Sequence, residues 1–366
     1  MKEIGNIVSI CDGMSCGQIA VNRAGLKYDK YYASEINKPA ITVTQANYPN
    51  TIQMGDVFNV SGKDLPKAGL FLAGTPCQGF SIAGGRLQFD DPRSKVFFEA
   101  VRVLNECREK NPDIKFIFEN VPMGLKNELV FSKYLGVDPI EIDSQLVSAQ
   151  RRKRLYWTNI NAQPYNLFGD IKPNIPLPAD RGLVIRDIME SDVNEKYYLS
   201  QKVLDRILSS GKERISNTNE KGGTLTTRQN ELTNDMLLIR EVIQLNPSKE
   251  SGGKQPYQQN RIYDIDGFNP CLTASLPGGA NLIYGDSMDE RVFDTGGKMQ
   301  TLLSGRTDTK TKIFDSGRIR MPTEIECERL QTVPDNYTNH VAKTHRYAML
   351  GNGWTVDVIT HILSYL

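Results

Sequence analysis

Cys77 stands in the run Gly74-Thr75-Pro76-Cys77-Gln78-Gly79-Phe80-Ser81, directly after the apolar stretch Leu70-Phe71-Leu72-Ala73. Pro and Gly around a thiol at a strand end suggest a shaped loop that holds it in the open, as a nucleophile requires. A lone cysteine is more often a small core residue. That reading suits Cys107 and fits Cys77 poorly, because the loop around Cys77 is polar. Glu119 follows Phe116-Ile117-Phe118 and opens Glu119-Asn120-Val121-Pro122. The apolar approach would desolvate its carboxyl, a setting for a general acid; taken alone, it could equally cap a turn. Gln150-Arg151-Arg152-Lys153-Arg154 precedes Leu155-Tyr156-Trp157. A charge run is usually a solvated face. If residues 154–158 form a strand, alternation sends Arg152 and Arg154 the same way. One of them could then face a site while Arg151 and Lys153 meet phosphates.

A second group of residues is acidic. Asp12-Gly13-Met14-Ser15-Cys16-Gly17 follows the apolar run 7–11 and opens a helix, where backbone N–H groups are free and a ligand can approach closely. It is not a GxGxxG turn, so a pyrophosphate ligand is disfavoured. Glu35 ends a second strand, at the distance where an acid binds a ribose in nucleotide folds. Asp56 follows Gly55 at the end of a third. Each acid taken singly is a turn cap. Three at successive strand ends suit a nucleoside carrying a cation better than a polyphosphate.

These residues need a frame that brings strand ends together. The pattern predicts strands at 7–11, 31–34, 70–73 and 116–118, with helices at 15–24, from Pro39 to near Asn47, and at 96–107. Alternating strands and helices imply βαβ units, an α/β fold with a doubly wound, mostly parallel sheet. Beyond Asn161 the periodicity weakens, and Pro164, Pro173, Pro176 and Pro178 mark a linker or an irregular entry. Residues 215–317 are rich in Gly, Thr, Asn and Asp, which predicts small strands and turns. The segments 261–264, 291–294 and 312–315 share one pattern, read as recurrent hairpins with turn glycines. A helical signal returns near Thr323, and 356–366 reads as an amphipathic helix.

Composition excludes several classes. The 366 residues carry 44 Lys and Arg against 43 Asp and Glu, a net charge of +1, so a globally basic coat is excluded while a local basic face is not. Six cysteines form no CxxC pair and only three histidines accompany them, which argues against zinc and disulfides and for reduced cytosolic thiols. No apolar run is long enough to cross a bilayer, and the first residues lack a secretory signal. The expectation is a cytoplasmic protein with no metal and no membrane partner.

Taken in order, DGMSCG (12–17), Glu35, GDV (55–57), GTPCQGFS (74–81), ENV (119–121), QRRKR (150–154), Arg320-Met321-Pro322-Thr323, Glu326, Arg329-Leu330-Gln331 and GNGWTV (351–356) resemble the cytosine-C5 DNA methyltransferases. The matches cover 1–160 and 318–366. The resemblance implies a class I S-adenosylmethionine-dependent methyltransferase fold, built from 1–160 plus 318–366, with a smaller irregular β-rich target-recognition domain at 161–317. It implies S-adenosyl-L-methionine as cofactor, leaving as S-adenosyl-L-homocysteine. The residues expected to hold it are Asp12, Gly13, Met14, Ser15, Cys16, Gly17, Glu35, Ile36, Asp56, Val57, Pro76, Asn352, Gly353 and Trp354. Cys77, Glu119 and Arg154 are the implied catalytic set. The thiolate adds at cytosine C6, a protonated Glu119 hydrogen-bonds N3, Arg154 stabilises O2, and a base then removes the C5 proton. The target must be flipped out of duplex DNA, with Gln78, Ser81, Gln150, Arg151, Arg152, Arg228 and Arg261 as DNA contacts and the loop 79–93 as a lid.

Two departures stand out. Cys11 occupies a position where the family usually has an aromatic residue stacking on the cofactor adenine. Trp354 stands where many bacterial members have a small residue. Together with DGMSCG it is similar to the animal de novo DNA methyltransferases, and it could supply the stacking that Cys11 cannot. A tRNA-directed relative usually carries a Cys-Phe-Thr tripeptide, which this sequence lacks. Intact PCQ, ENV and QxRxR argue against a catalytically inactive DNA-binding relative. By analogy the source is a bacterial or phage-infected cell. A cognate restriction endonuclease is then an expected partner, and a monomer is the expected state with self-association left open.

Overall fold

The structure, a computed structural model, describes residues 2–76, 92–198, 239–240, 265–266, 282–284, 291–293, 299–300, 311–315 and 318–366. The first strand, β1 (Asn6–Ile10), is followed by α1 (Cys16–Arg23), β2 (Tyr31–Ser34), α2 (Lys38–Asn47), β3 (Ile52–Gln53) and β4 (Ala68–Gly74). Then come α3 (Pro92–Lys110), β5 (Lys115–Asn120), α4 (Leu125–Leu135), β6 (Ile140–Asp143), β7 (Gln150–Arg151) and β8 (Lys153–Thr158). Local chemistry sets the breaks. Asn37 caps α2 by accepting from the Ala40 N–H, with Pro39 in the first turn. Gly25, in the left-handed region, stops the chain just past α1.

Seven strands form one sheet in the order β3-β2-β1-β4-β5-β8-β6. Neighbours from β3 to β5 are parallel, while β8 runs antiparallel to both β5 and β6. The winding reverses between β1 and β4. In a sheet of this kind ligands bind beyond the strand ends at that reversal.

Period-two alternation sorts the strand residues onto two faces. Ile7, Leu70, Leu72, Ile117 and Tyr156 join one apolar cluster, and Val8, Phe71, Phe116, Phe118 and Trp157 join the other. Phe97, Ala100 and Leu104 of α3 and Phe131 of α4 fill the second cluster. The first takes Ile19, Ala20 and Val21 of α1, together with helices from the far end of the chain.

The segment after β8, expected to be a linker or an irregular entry, is irregular and packed. The strands β9 (Ala162–Pro164) and β10 (Ile171–Pro173) form an antiparallel hairpin. Ile175, Ile185 and Ile188 are buried in the same cluster as Ile7. Their apolar spacing is too irregular to show as a helix or strand, yet each side chain finds the core.

Between here and 318 the described strands are short. β11 (Ile239–Arg240) and β12 (Ile265–Asp266) pair in parallel. β13 (Leu282–Tyr284), β14 (Arg291–Phe293), β15 (Met299–Gln300), β16 (Thr311–Asp315) and β17 (Arg318–Arg320) follow. β13 with β14 and β16 with β17 are antiparallel pairs, and β14 and β16, which carry two of the similar segments, lie side by side in parallel. The β16–β17 pair straddles position 318, where a domain boundary was expected. β15 pairs with β7, Met299 against Gln150 and Gln300 against Arg151.

The chain then returns to the large sheet through α5 (Glu324–Leu330), α6 (Lys343–Asn352) and α7 (Val356–Leu363). Thr323 and Glu326 close a reciprocal cap on α5. Arg320 donates two 2.8 Å bonds to Glu326, both side chains being fully buried. Val358, Ile359 and Ile362 of α7 pack on α1, so the two ends of the sequence share one core.

Candidate active site

The loop after β1 is bent by three left-handed residues: Cys11 at φ 54°, Gly13 at φ 59° and Ser15 at φ 59°. Such backbone costs about 1–3 kcal/mol per non-glycine residue and persists only where its surroundings hold it. Here they do. The Tyr31 hydroxyl donates to Asp12 Oδ1 at 2.7 Å and Ser15 to Asp12 Oδ2. The Tyr337 hydroxyl donates to the Met14 carbonyl at 2.7 Å, and Gln18 bonds Ser15 and Thr51. The Gly13 N–H donates to Glu35 Oε2 at 2.8 Å, and the Ile36 and Asn37 N–H groups donate to Oε1 at the same distance. Asp56 accepts from the Phe58 N–H at 3.1 Å and caps the short turn from Val57 to Asn59.

The three acids converge. Burial pushes the Cys11 thiol up to about 12, and Glu35, Asp56 and Asp12 push it the same way. Burial likewise raises the Asp12 carboxyl to about 6, against the hydrogen bonds from Ser15, Ser9 and Tyr31 and with help from Glu35. Beside these carboxylates Ile36 is 70% exposed and Phe58 is also exposed. The result is an acidic group at the strand ends with exposed apolar side chains beside it.

Glu119 lies three strands from Glu35 across the sheet. It pairs in register with Gly74 of β4 on one side and Tyr156 of β8 on the other. Arg154 Nε sits 2.9 Å from Glu119 Oε1, both side chains nearly buried. The Trp354 indole N–H donates to Glu119 Oε2 at 3.1 Å. Asn120 is buried and donates to the Thr75 carbonyl at 3.2 Å, tying the end of β5 to the chain that leads into Pro76. Pro76 is exposed at the last described position of that segment.

The arginine run divides by burial. Arg154 on β8 pairs with Glu119, and Arg152, just before β8, lies close to it. Arg152, expected as a DNA contact, is only 4% exposed and donates to the Gly353 carbonyl at 3.1 Å. Burial, and then Arg154 close by, push its guanidinium down to about 9. Gln150 is also buried, on the strand that receives β15. Both lie within the protein rather than on a face that a phosphate reaches. Arg151 is half-buried and Lys153 is exposed, paired with Glu141 at 3.0 Å. Cys77, Gln78, Ser81, Arg228 and Arg261 lie outside the described residues, as does most of the loop 79–93.

Asn352 ends α6 exposed, with Gly353 capping the helix and Trp354 half-buried. A Cβ at Gly353 would meet Met14 and Cys16, so this turn packs directly on the loop after β1. The indole lies over Gly74, not beyond β2, where Glu35 stands. One strand, β1, lies between β4 and β2. The Trp354–Glu119 contact and the support from Tyr31 and Tyr337 join residues far apart in sequence, and no local pattern signals them.

Among the described residues, Cys11, Cys16, Cys107 and Cys327 are free cysteines. Burial leads in raising each of these thiols. No cluster of His, Cys, Asp and Glu among the described residues is placed to hold a metal, and no described helix is long and apolar enough to cross a membrane.

A family model described as C-5 cytosine-specific DNA methylase matches residues 5–135 and 144–366. The chain belongs to that family. Among curated relatives, Type II methyltransferase M1.ScrFI of Lactococcus lactis subsp. cremoris is 30% identical over 57% of this chain and 55% of its own length. Orphan methyltransferase M.SPRI of Bacillus phage SPR is 26% identical over 98% of this chain and 97% of its own. Type II methyltransferase M.NlaIV of Neisseria lactamica is 26% identical over 90% and 89%. The chain thus spans about half of the first relative and nearly all of the other two. Among solved structures, Entamoeba histolytica methyltransferase EhMeth superposes with a TM-score of 0.64 at 15% identity, covering 100% of this chain and 98% of that one. S. pombe Dnmt2 methyltransferase gives 0.58 at 14%, covering 98% and 97%. At these identities the likeness speaks to the fold, which is that of the class I methyltransferases.

Proposed function

We propose that this C-5 cytosine methylase transfers a methyl group from S-adenosyl-L-methionine to C5 of a cytosine flipped out of duplex DNA. The observation that carries the reading is the Glu119–Arg154 pair at the end of β5, in register with the Gly74 that leads to Cys77. Cytosine C5 is too weak a nucleophile to take a methyl group unaided. Addition of the Cys77 thiolate at C6 makes it enamine-like, and the charge pushed onto N3 and O2 is met by Glu119 and Arg154. Loss of the C5 proton and elimination then free the thiol. Burial raises each of the described thiols, so none of them is placed as a reactive nucleophile.

The residues present fit the methyl donor. Asp12, Glu35 and Asp56 surround one pocket edge and suit ribose hydroxyls and a cation. Ile36 and Phe58 offer apolar surface to a purine. When bound, S-adenosylmethionine supplies an electrophilic methyl group. The chain's own part is to hold it beyond β1 and to keep Glu119 and Arg154 in place beyond β5.

The test is methyl transfer to duplex DNA and to tRNA, with bisulfite sequencing of DNA from cells expressing the chain. Wild-type protein should form a covalent adduct on DNA containing 5-fluorocytosine, because fluorine blocks elimination. Cys77→Ser should abolish both adduct and turnover while the protein stays folded. Substantial activity in Cys77→Ser, or transfer to tRNA alone, would overturn the reading.

A further inference from the structure

Trp354 is the feature that the family resemblance leaves unexplained, and its surroundings are specific. The indole N–H reaches Glu119 Oε2 at 3.1 Å while Arg154 holds Oε1 at 2.9 Å, so both carboxyl oxygens are fixed from opposite sides. The ring lies so close to Gly74 that a Cβ there would come within 2.8 Å of Nε1, 3.1 Å of Cε2 and 3.2 Å of Cζ2. The other side of the ring, at Cζ3, comes near Gly17 at the start of α1, and the Trp354 backbone N–H bonds the Cys16 thiol. Directly before it, Gly353 is held by Arg152 and packs on Met14. One residue therefore touches the loop beyond β1 and the acid at the end of β5, bridging β4.

We infer that Trp354 is a positioning residue for the chemical step. Its N–H holds the Glu119 carboxyl at a fixed point relative to the loop after β1, and the rigid ring on Gly74 sets that distance. Stacking on the cofactor would make Trp354 an affinity residue. The hydrogen bond to Glu119 makes it a rate residue, because a misplaced acid slows attack on the base without loosening the cofactor. The inference rests on the role proposed above for Glu119.

The experiment uses the full chain and two readouts. One is the rate of covalent adduct formation on a 5-fluorocytosine duplex at saturating S-adenosylmethionine. The other is the dissociation constant of S-adenosylhomocysteine by calorimetry. Trp354→Phe keeps the ring and removes the donor. Its adduct rate should fall about tenfold, the loss expected for about one hydrogen bond. Its cofactor affinity should change by less than about twofold, because the ring is retained. In the Glu119→Gln background, Trp354→Phe should add little further loss, since the two residues act as one unit. Weakened cofactor binding with an unchanged adduct rate would overturn the assignment, and so would no change in either. Full additivity with Glu119→Gln would also overturn it, as expected of a merely structural residue. If Glu119→Gln itself forms adduct at the wild-type rate, the role given to Glu119 fails and this inference with it. If Glu119→Gln is slow and Trp354→Phe is not, only the inference fails. Should Trp354→Phe not fold, Gly74→Ala displaces the same indole and is held to the same split.

Discussion

Asp12 gives the loop after β1 a pH signature. Burial raises its carboxyl to about 6, so the folded chain keeps a proton that the unfolded chain has lost. Stability from this group is full below about pH 4 and falls as pH rises through about 6, by an amount on the order of 2–3 kcal/mol. Asp12→Asn cannot ionise. Urea unfolding at pH 4 and at pH 7 should show wild type losing stability relative to Asp12→Asn between the two. An unchanged difference would mean that the carboxyl is not desolvated as described. A cationic ligand favours the ionised form, so wild-type cofactor affinity should rise through the same window and the Asp12→Asn profile should lack that rise. Glu35→Ala and Asp56→Ala should each weaken S-adenosylhomocysteine binding by about 1–3 kcal/mol, the cost of one charged hydrogen bond. Glu35 also accepts three backbone N–H groups, so Glu35→Gln separates the loss of charge from the loss of loop shape. Unchanged affinity in both alanine variants would refute the pocket.

At the scale of elements, the return of the chain hinges on Glu326. Its carboxylate accepts two bonds from Arg320, one from the Thr323 N–H and one from the Glu190 N–H, all in a dry interior. Removing one member of a buried pair leaves an uncompensated charge, so Glu326→Ala should cost about 3–5 kcal/mol in denaturant unfolding. A loss under about 1 kcal/mol would show that the pair is solvated. The elements themselves were readable. Ile7–Cys11, Tyr31–Ser34, Leu70–Ala73 and Phe116–Phe118 carry enough β-branched and aromatic residues to mark β1, β2, β4 and β5 within a residue or two. Glu119 and Arg154, proposed above for the site, stand out in the sequence because each borders such a run. Arg152 misled because its type speaks of solvent, and only the Gly353 carbonyl, some 200 residues on, explains its burial. The packed segment 162–188 misled because its core residues, Ile175, Ile185 and Ile188, sit among prolines with no helical or strand period. Trp354 was noticed as an unusual residue, but its partner is 235 positions away, beyond the reach of any spacing rule.

For the whole molecule, the core assigns labour along the chain. Residues 2–76 and 92–188 with 320–366 share the two apolar clusters flanking the large sheet, and the site lies at the edge of that sheet. Residues 199–317 contribute polar residues such as Arg228, Gln229, Asn230, Gln258, Asn260 and Arg261, of the kinds that read base edges. Sequence choice should therefore move with 199–317 and chemistry should stay with the rest. The packing refines where to cut. Exchange from 161 would remove Ile175, Ile185 and Ile188 from the core, a loss of about 2–5 kcal/mol for each cavity left unfilled. Exchange from 199 spares them. Contact with the rest of the chain runs through β15 and β7, where Met299 and Gln300 pair with Gln150 and Arg151, and through β16 and β17, in both cases by backbone bonds that do not depend on side-chain identity. A graft of 199–317 onto a relative with a different site should thus fold, keep its turnover within about an order of magnitude, and methylate the donor's site when mapped by bisulfite sequencing. An active chimera that keeps the host's site would place base readout in the catalytic unit and refute this division.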